Sequence, residues 1–422
     1  MVFRQFVDDD LGCGSYLLGD ADSGEAVVVD PAFAIEQYLE AARAEGVRIV
    51  RVLETHTHAD HLSGHGRFAL EHGLPVSIHP LAEPEYPFDA LADGDVLRVG
   101  ALEVHVLHTP GHRPEHCSFV AGGVVLTGDS LFVGAAARPD LAIEARAGAA
   151  DLWRSVRRLA ELPGETVVYP GHVSGSLCGT NMSDEHSTSI GRERASNAAL
   201  RTAEPAFVDE SASIATPRPP TTERLVALNR GPWVAARPPL AQLDDVRDGL
   251  VLDVRPVPAF AAGHRPDAIS VALDGGSFAT RAAFVLDAAE PVVLQARSRD
   301  EAERAARLLW AVGLFETRGY VLEGDGVKLP TLTTAELAAL LERGDPQVLD
   351  VREPTEREHE APGALRVPYR ELPLGAPPGL DPERPVYTIC ASGARAVLSA
   401  SLLARRGFDA RAVVGGGVDD LA

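Results

Sequence analysis

The residue types best suited to metal chemistry are concentrated in one short segment. After the apolar run 49–53, which is typical of a buried strand, residues 54–61 read Glu-Thr-His-Thr-His-Ala-Asp-His. A compact loop at a strand end can turn such a cluster onto one point, and imidazole together with carboxylate suits Zn, Fe or Mn. The candidate ligands are His56, His58, Asp60 and His61.

Three more candidate ligands follow apolar runs that predict strands. Two of them come directly after a Pro-Gly turn, which allows a close approach of the backbone. They are His112 in Thr-Pro-Gly-His, Asp129 in Leu-Thr-Gly-Asp and His172 in Tyr-Pro-Gly-His. The sequence therefore predicts that four strand ends deliver ligands to one metal site.

This ordered set of ligands resembles the metallo-β-lactamase superfamily over about residues 1–238. The resemblance implies an αββα sandwich with the metal at one edge. It leaves two chemistries open. In the first, two zinc ions share the ligands and activate a bridging hydroxide, as in glyoxalase II-like hydrolases.

Persulfide dioxygenases also look like this domain. For them the resemblance implies one Fe(II) held by His56, His112 and Asp129, with open positions for substrate sulfur and O₂. The other four residues would surround the iron or hold a second metal: His58, Asp60, His61 and His172. The ligand set alone does not separate the two chemistries.

A second reactive feature is the loop Cys390-Ala-Ser-Gly-Ala-Arg395, between the strand-like run 386–389 and the helical run 396–406. A cysteine at a helix N-terminus faces unpaired amides and the positive end of the dipole, and both favour the thiolate. Gly393 lets the loop curl so that its N–H groups point at one anion. We expect Ser392 and Gly393 to bind substrate, and Cys390 and Arg395 to be catalytic.

This loop resembles a rhodanese (sulfurtransferase) domain, over about residues 330–422. Four residues separate Cys390 from Arg395, whereas similar cysteine phosphatases have five and cradle phosphate. The resemblance therefore favours sulfur, and it implies that Cys390 carries a persulfide.

The C-terminal half contains a repeat. Leu-Asp-Val-Arg occurs at 252–255 and again at 349–352, and residues 291–313 align without a gap with 385–407. The first copy resembles a rhodanese that cannot hold sulfur, because Ala296 stands where the second copy has Cys390. We therefore expect two parallel α/β domains, of which the first has a structural or docking role. The predicted domain bounds are 1–238, 239–329 and 330–422, with a tail and linker over 203–240.

The segment after His172 is small and polar, and we expect it to line the mouth of the metal site. Cys178 lies there and could relay sulfur as a catalytic residue. Arg192 and Arg194 could bind the carboxylates of a thiol cofactor, because guanidinium suits bidentate pairing. We interpret Cys13 and Cys117, in apolar contexts, as core residues.

Composition limits the partners. Asp and Glu outnumber Lys and Arg by 61 to 39, and the net charge of −22 argues against nucleic acid or an anionic membrane. The chain has no apolar run long enough to span a membrane and only four cysteines. We expect a cytoplasmic protein, and a homo-oligomer from the base rate.

The fusion favours one function, because linked domains raise the effective concentration of a shared persulfide. We expect an Fe(II)-dependent persulfide dioxygenase with rhodanese activity, one iron per chain, acting in sulfide detoxification. Its substrates would be a small-molecule thiol persulfide and O₂, and its products sulfite and thiol, with thiosulfate as a further product or substrate. The first alternative is a glyoxalase II-like thioester hydrolase with two zinc ions and accessory rhodanese domains. The second is a sulfur carrier or sensor whose metal is structural. The thiol is left open.

Overall fold

The computed structural model describes residues 1–139, 144–173, 183–213, 217–322, 326–356 and 359–421. The chain divides into two compact units. Unit 1 comprises Met1–Arg237 with Trp310–Gly313, and unit 2 comprises Pro238–Leu309 with Leu314–Ala422. Cys178, predicted as a sulfur relay, lies outside the described residues. Within them, no helix combines the length and apolar character that a membrane crossing requires.

Two six-stranded sheets form the centre of the described part of unit 1. The strands of the first sheet, in spatial order, are β1 (Val2–Val7), β2 (Gly14–Asp20), β3 (Glu25–Val29), β4 (Arg48–Leu53), β5 (Val76–Ile78) and β6 (Asp89–Ala90). The strands of the second sheet, in spatial order, are β7 (Val96–Val99), β8 (Leu102–His108), β9 (Cys117–Ala121), β10 (Val124–Gly128), β11 (Val167–Pro170) and β12 (Thr188–Ser189).

Helices cover the outer faces of both sheets. The helices described in unit 1 are α1 (Glu36–Ala44), α2 (His65–His72), α3 (Ala145–Leu159), α4 (Ile190–Ser196), α5 (Ala198–Arg201), α6 (Glu204–Ser213) and α7 (Thr222–Arg230). Tyr38 of α1 and Phe68 of α2 pack on the first sheet, and Leu152 of α3 packs on the second. Each fully buried side chain of this kind contributes about 2 kcal/mol to folding. The predicted αββα sandwich is confirmed.

The inner faces of the two sheets share one core. Leu18, Val27 and Leu53 of the first sheet pack with Val106 and other residues of the second. β10 and β11 run parallel, with Val125 opposite Val168. Because their carboxyl ends meet at the same edge, the residues that follow them are brought close together. Strands β4, β8, β10 and β11 confirm the predicted strands that precede the ligands.

Unit 2 contains two parallel sheets in the described chain. The first has the spatial order β14-β13-β15-β16, and the second has the order β17-β21-β20-β18-β19. The strands are β13 (Leu250–Asp253), β14 (Ile269–Ser270), β15 (Val292–Ala296), β16 (Thr317–Leu322), β17 (Thr331–Leu332), β18 (Gln347–Asp350), β19 (Leu365–Arg366), β20 (Val386–Ile389) and β21 (Ala410–Val413).

The helices of unit 2 follow the parallel strands. They are α8 (Val257–Ala262), α9 (Phe278–Val285), α10 (Arg299–Ala311), α11 (Thr334–Arg343) and α12 (Ala394–Ala404). A capping box starts α11, because Thr333 and Glu336 exchange side-chain and backbone hydrogen bonds. α12 packs against β14 of the preceding repeat, where Ser401 Oγ accepts a 3.1 Å bond from the N–H of Ser270.

Candidate metal centre and sulfur loop

Three side chains at the sheet edge place their potential ligand atoms within 4.8 Å of one another: His56, His112 and Asp129. Oδ2 of Asp129 lies 3.4 Å from Nε2 of His112 and 4.0 Å from Nε2 of His56. All three side chains are buried, and Oδ2 of Asp129 has no hydrogen-bond partner in the described chain. A buried carboxylate oxygen left open beside two imidazole nitrogens fits a metal cation.

Hydrogen bonds orient both imidazoles of this triad. Nδ1 of His112 lies 2.9 Å from the carbonyl oxygen of Arg138, so that its N–H donates there and Nε2 is left as an acceptor. Nδ1 of His56 lies 2.9 Å from Oγ1 of Thr55, whose hydroxyl donates to Asp30 at 2.8 Å. Burial lowers the pKa of both histidines. They are therefore held in the neutral form that binds metals.

His172 joins the triad to a neighbouring carboxylate. Its Nδ1 lies 2.7 Å from Oδ1 of Asp129, and its Nε2 lies 2.7 Å from Oδ2 of Asp60. Burial opposes the charge on Asp129, but His172 holds the pKa of that carboxyl well below its usual range. Asp129 is therefore an ionised carboxylate with one oxygen fixed and the other open.

His58 is held by a separate pair of carboxylates. Its Nε2 lies 3.1 Å from Oε2 of Glu54 and 3.3 Å from Oδ1 of Asp30. Burial opposes the charge on Glu54, but its hydrogen bonds with His58 and His65 lower its pKa to about 2. His58 thus forms a group with Asp30 and Glu54 and does not join the group of His56.

Cys13 lies in a third group, with Asp60, His61 and His172. Its Sγ is 3.3 Å from Nε2 of His172 and 3.5 Å from both Oδ2 of Asp60 and Nδ1 of His61. Burial raises the pKa of this thiol well above its ordinary value. The interpretation of Cys13 as an ordinary core residue missed this position, because a single cysteine in an apolar segment has no ligand spacing that would reveal it.

The sulfur loop lies between β20 and α12. Cys390 is buried, and the N–H of Gly393 donates a 3.1 Å bond to its Sγ. Gly393 has φ +102°, a left-handed conformation, and an added Cβ there would lie 3.3 Å from Cα of Val414. A side chain at this position is therefore strained. Ser392 is exposed beside the thiol.

Arg395 is the charged group of this loop, and it is paired. Its guanidinium binds both carboxylate oxygens of Glu356, one of them at 2.7 Å. Burial opposes the charge on Arg395, but the bonds to Glu356 raise its pKa above the ordinary value. Arg395 is thus a permanent cation held in one direction. Sequence reasoning missed Glu356, which lies far from Arg395 along the chain.

In the corresponding loop of the first repeat, residues 296–301, a carboxylate binds a backbone amide of the same loop. Glu301 occupies the position of Arg395, and its Oε2 accepts a 2.6 Å bond from the backbone N–H of Arg297. Its Oε1 binds the Arg297 guanidinium at 2.6 and 2.9 Å. Ala296 replaces the cysteine. The side chain of Glu301 therefore binds a backbone amide of its own loop.

Arg192 and Arg194 lie on the exposed side of α4. Arg192 pairs with Glu185 at 2.5 and 2.6 Å, and Arg194 donates to the carbonyl oxygen of Leu162. In the described residues no hydrogen bond or ion pair joins either arginine to the ligand groups. Their role in binding a thiol cofactor stays a prediction.

The comparisons with known proteins agree with this arrangement. The model of the metallo-beta-lactamase superfamily matches residues 8–172, and the model of the rhodanese-like domain matches residues 333–421. The mitochondrial persulfide dioxygenase ETHE1 of Bos taurus is 30% identical over 191 residues, which are 44% of this chain and 73% of that protein. The hydroxyacylglutathione hydrolase of Xanthomonas euvesicatoria is 37% identical over 155 residues, which are 36% of this chain and 58% of that protein.

Among solved structures, a metallo-beta-lactamase from Staphylococcus aureus aligns with a TM-score of 0.69 and 27% identity. It covers 76% of this chain and 98% of its own. That coverage is larger than unit 1, so the likeness extends into unit 2. The chain therefore belongs to the metallo-β-lactamase superfamily, in the family of the persulfide dioxygenase ETHE1, and carries a rhodanese-like domain at its C-terminal end.

Proposed function

We propose that this chain is an iron-dependent persulfide dioxygenase whose C-terminal domain transfers the sulfur of the same substrates. The observation that carries the proposal is the grouping of His56, His112 and Asp129, with the open Oδ2 of Asp129. Two histidines and one carboxylate are typical of oxygenases that bind a single Fe(II).

The proposed reaction is RSSH + O₂ + H₂O → RSH + SO₃²⁻ + 2H⁺, in which the terminal sulfur is oxidised and dioxygen is reduced. Iron bound by the triad would supply the positions at which sulfur and O₂ meet and the electrons that activate O₂. The protein contributes a buried, oriented ligand set. Arg138 and Thr55 fix the two imidazoles, and His172 fixes Asp129. His172 also contacts Asp60, whose side chain is 18% exposed, and so links the buried carboxylate of Asp129 to a partly exposed one.

The rhodanese-like domain would use the sulfite. The Cys390 thiolate attacks the terminal sulfur of a persulfide, Cys–S⁻ + RSSH → Cys–SS⁻ + RSH. Sulfite then removes that sulfur as thiosulfate, Cys–SS⁻ + SO₃²⁻ → Cys–S⁻ + S₂O₃²⁻. The Gly393 N–H contacts Sγ of Cys390, and Arg395 adds a fixed positive charge near the anionic sulfur. Both can stabilise negative charge on the sulfur during the transfer.

The test is oxygen consumption by protein loaded anaerobically with Fe(II) and given glutathione persulfide. We expect the amount of O₂ consumed to equal the sum of the sulfite and the thiosulfate released. His112→Ala should abolish the uptake, whereas Cys390→Ser should keep the uptake and release sulfite alone. Absence of uptake by protein with iron bound, tested with persulfides of several thiols, would overturn the proposal.

A dinuclear thioester hydrolase is the second candidate. The observation that favours it is the group of Cys13, Asp60, His61 and His172 beside the triad, together with the similarity to hydroxyacylglutathione hydrolase. It predicts two zinc ions per chain and O₂-independent hydrolysis of a glutathione thioester. Metal analysis and an anaerobic thioester assay separate the two candidates.

A further inference from the structure

We propose that Asn229 is a positioning residue that fixes the loop of metal ligands. Asn229 lies on α7, in the segment that the sequence placed in a tail and linker, and outside the matched range 8–172. Its Nδ2 donates to the carbonyl oxygens of His58 and His61, at 2.9 and 2.8 Å. Its Oδ1 accepts a 2.9 Å bond from the N–H of Ser63.

This bonding pattern requires an asparagine amide in one orientation. A reversed amide would place Oδ1 against two carbonyl oxygens and Nδ2 against an N–H group, and none of the three bonds would form. Asn229 is 2% exposed, so water cannot replace the bonds. A buried carbonyl left without a hydrogen bond is unfavourable, which strongly favours the observed geometry.

The bonds span the part of the loop that carries the ligands. The two carbonyls belong to His58 and His61, which bracket Asp60, and the third bond fixes the exit of the loop at Ser63. The loop has no regular secondary structure from residue 54 to 62. Without Asn229 the backbone of this turn would lose three of the contacts that define its path. The directions of the adjacent imidazoles depend on that path.

α7 is itself anchored to the domain. The carbonyl oxygen of Arg230 accepts a 2.6 Å bond from the N–H of Glu85, and Leu225 is buried. Trp233, just after the helix, stacks on Tyr86 with ring centroids 4.0 Å apart. Asn229 therefore reaches the loop from a fixed support, as a positioning residue requires.

The test measures binding of Co²⁺ to metal-free full-length protein, by calorimetry and by the visible absorption of the bound ion. Asn229→Asp keeps the acceptor for Ser63 but sets a carboxylate oxygen against two carbonyls. We expect Co²⁺ affinity to fall by about 10–100-fold, with a changed absorption spectrum. If this variant does not fold, Asn229→Ser, which is smaller and uncharged, takes its place with the same expectation.

The matched control is Asn197→Asp. Asn197 is equally buried in the same domain and donates from Nδ2 to the carbonyl oxygen of Ala135 and to Glu193. Its variant should lose thermal stability but keep the Co²⁺ affinity and spectrum. A folded Asn229 variant with wild-type affinity and spectrum would overturn the inference, as would equal losses of affinity in both variants. The inference rests on the proposed metal site but not on its reaction, because a failure of persulfide oxidation leaves this binding result unaffected.

Discussion

The two repeats of unit 2 carry the same loop in opposite states. In the second repeat the loop holds Cys390, and the Gly393 N–H contacts its sulfur. In the first repeat Ala296 has replaced the cysteine, and the carboxylate of Glu301 binds the backbone N–H of Arg297. An amide at a helix N-terminus still needs an anionic partner after the nucleophile is lost. The first repeat obtains that partner from its own chain.

The difference shows that charge reversal at one position does two things. Arg395 is a donor and binds the carboxylate of Glu356, which lies outside its own loop. Glu301 turns toward the amides, and its side chain is only 8% exposed. In addition, β14 of the first repeat packs against α12, the helix that begins directly after Gly393.

The largest expected effect comes from removing the only thiol of the two loops. Cys390→Ser should lower the transfer of sulfur from thiosulfate to cyanide by about a thousandfold or more, because serine is a poor nucleophile for sulfur at neutral pH. Glu301→Gln is the control, and thiocyanate formation should match that of the wild type. Equal losses in both variants would mean that the first repeat takes part in the transfer.

Restoring the first loop should require more than a cysteine. Ala296→Cys alone, in a Cys390→Ser background, should not gain a sulfur atom from thiosulfate, because Glu301 still occupies the loop and repels the anion. Adding Glu301→Arg and Arg299→Gly, at the position that aligns with Gly393, should give a persulfide at position 296, detected by mass spectrometry. A persulfide at position 296 without the changes at Arg299 and Glu301 would contradict the blocking role of Glu301.

The sequence predicted the candidate sites best where residue type and spacing along the chain together define a motif. The ligands near His56 stand at strand ends in a recognisable order, and alternating apolar runs define those strands. Cys13 and Glu356 could not be found this way, because each reaches its site from a distant segment that carries no motif. Asn229 was missed because the composition of 203–240 is rich in proline and alanine, whereas α6 and α7 form within that range. The absence of a nucleophile in the first loop was evident from Ala296, whereas the bonds of Glu301 were not.

A smaller effect tests a second difference between the repeats. In the second repeat, helix α11 precedes strand β18, whereas no helix is described between residue 239 and β13 in the first repeat. The capping box of Thr333 and Glu336 starts α11. Thr333→Ala should destabilise the protein by about 1 kcal/mol, measured by urea unfolding, because the helix loses its N-cap. Thr333→Ser keeps the hydroxyl and should cost less than half as much. Equal losses would show that the methyl group of Thr333 matters and not the cap.

The smallest expected effect concerns the two Arg–Glu pairs. Glu356→Gln breaks the pair with Arg395, and Glu301→Gln breaks the pair with Arg297. Burial opposes the charge on Glu356, but Arg395 lowers its pKa below the ordinary value of 4.5. A carboxyl whose folded pKa is depressed stabilises the protein above its unfolded pKa and loses that contribution as pH falls.

The difference in unfolding free energy between wild type and Glu356→Gln should thus be present at pH 7 and shrink below about pH 4.5. Because Glu356 is more than one-third exposed, the difference should be no more than about 1 kcal/mol. A difference that persists unchanged to pH 3 would mean that Glu356 acts through packing, and that the direction of Arg395 does not depend on this ion pair.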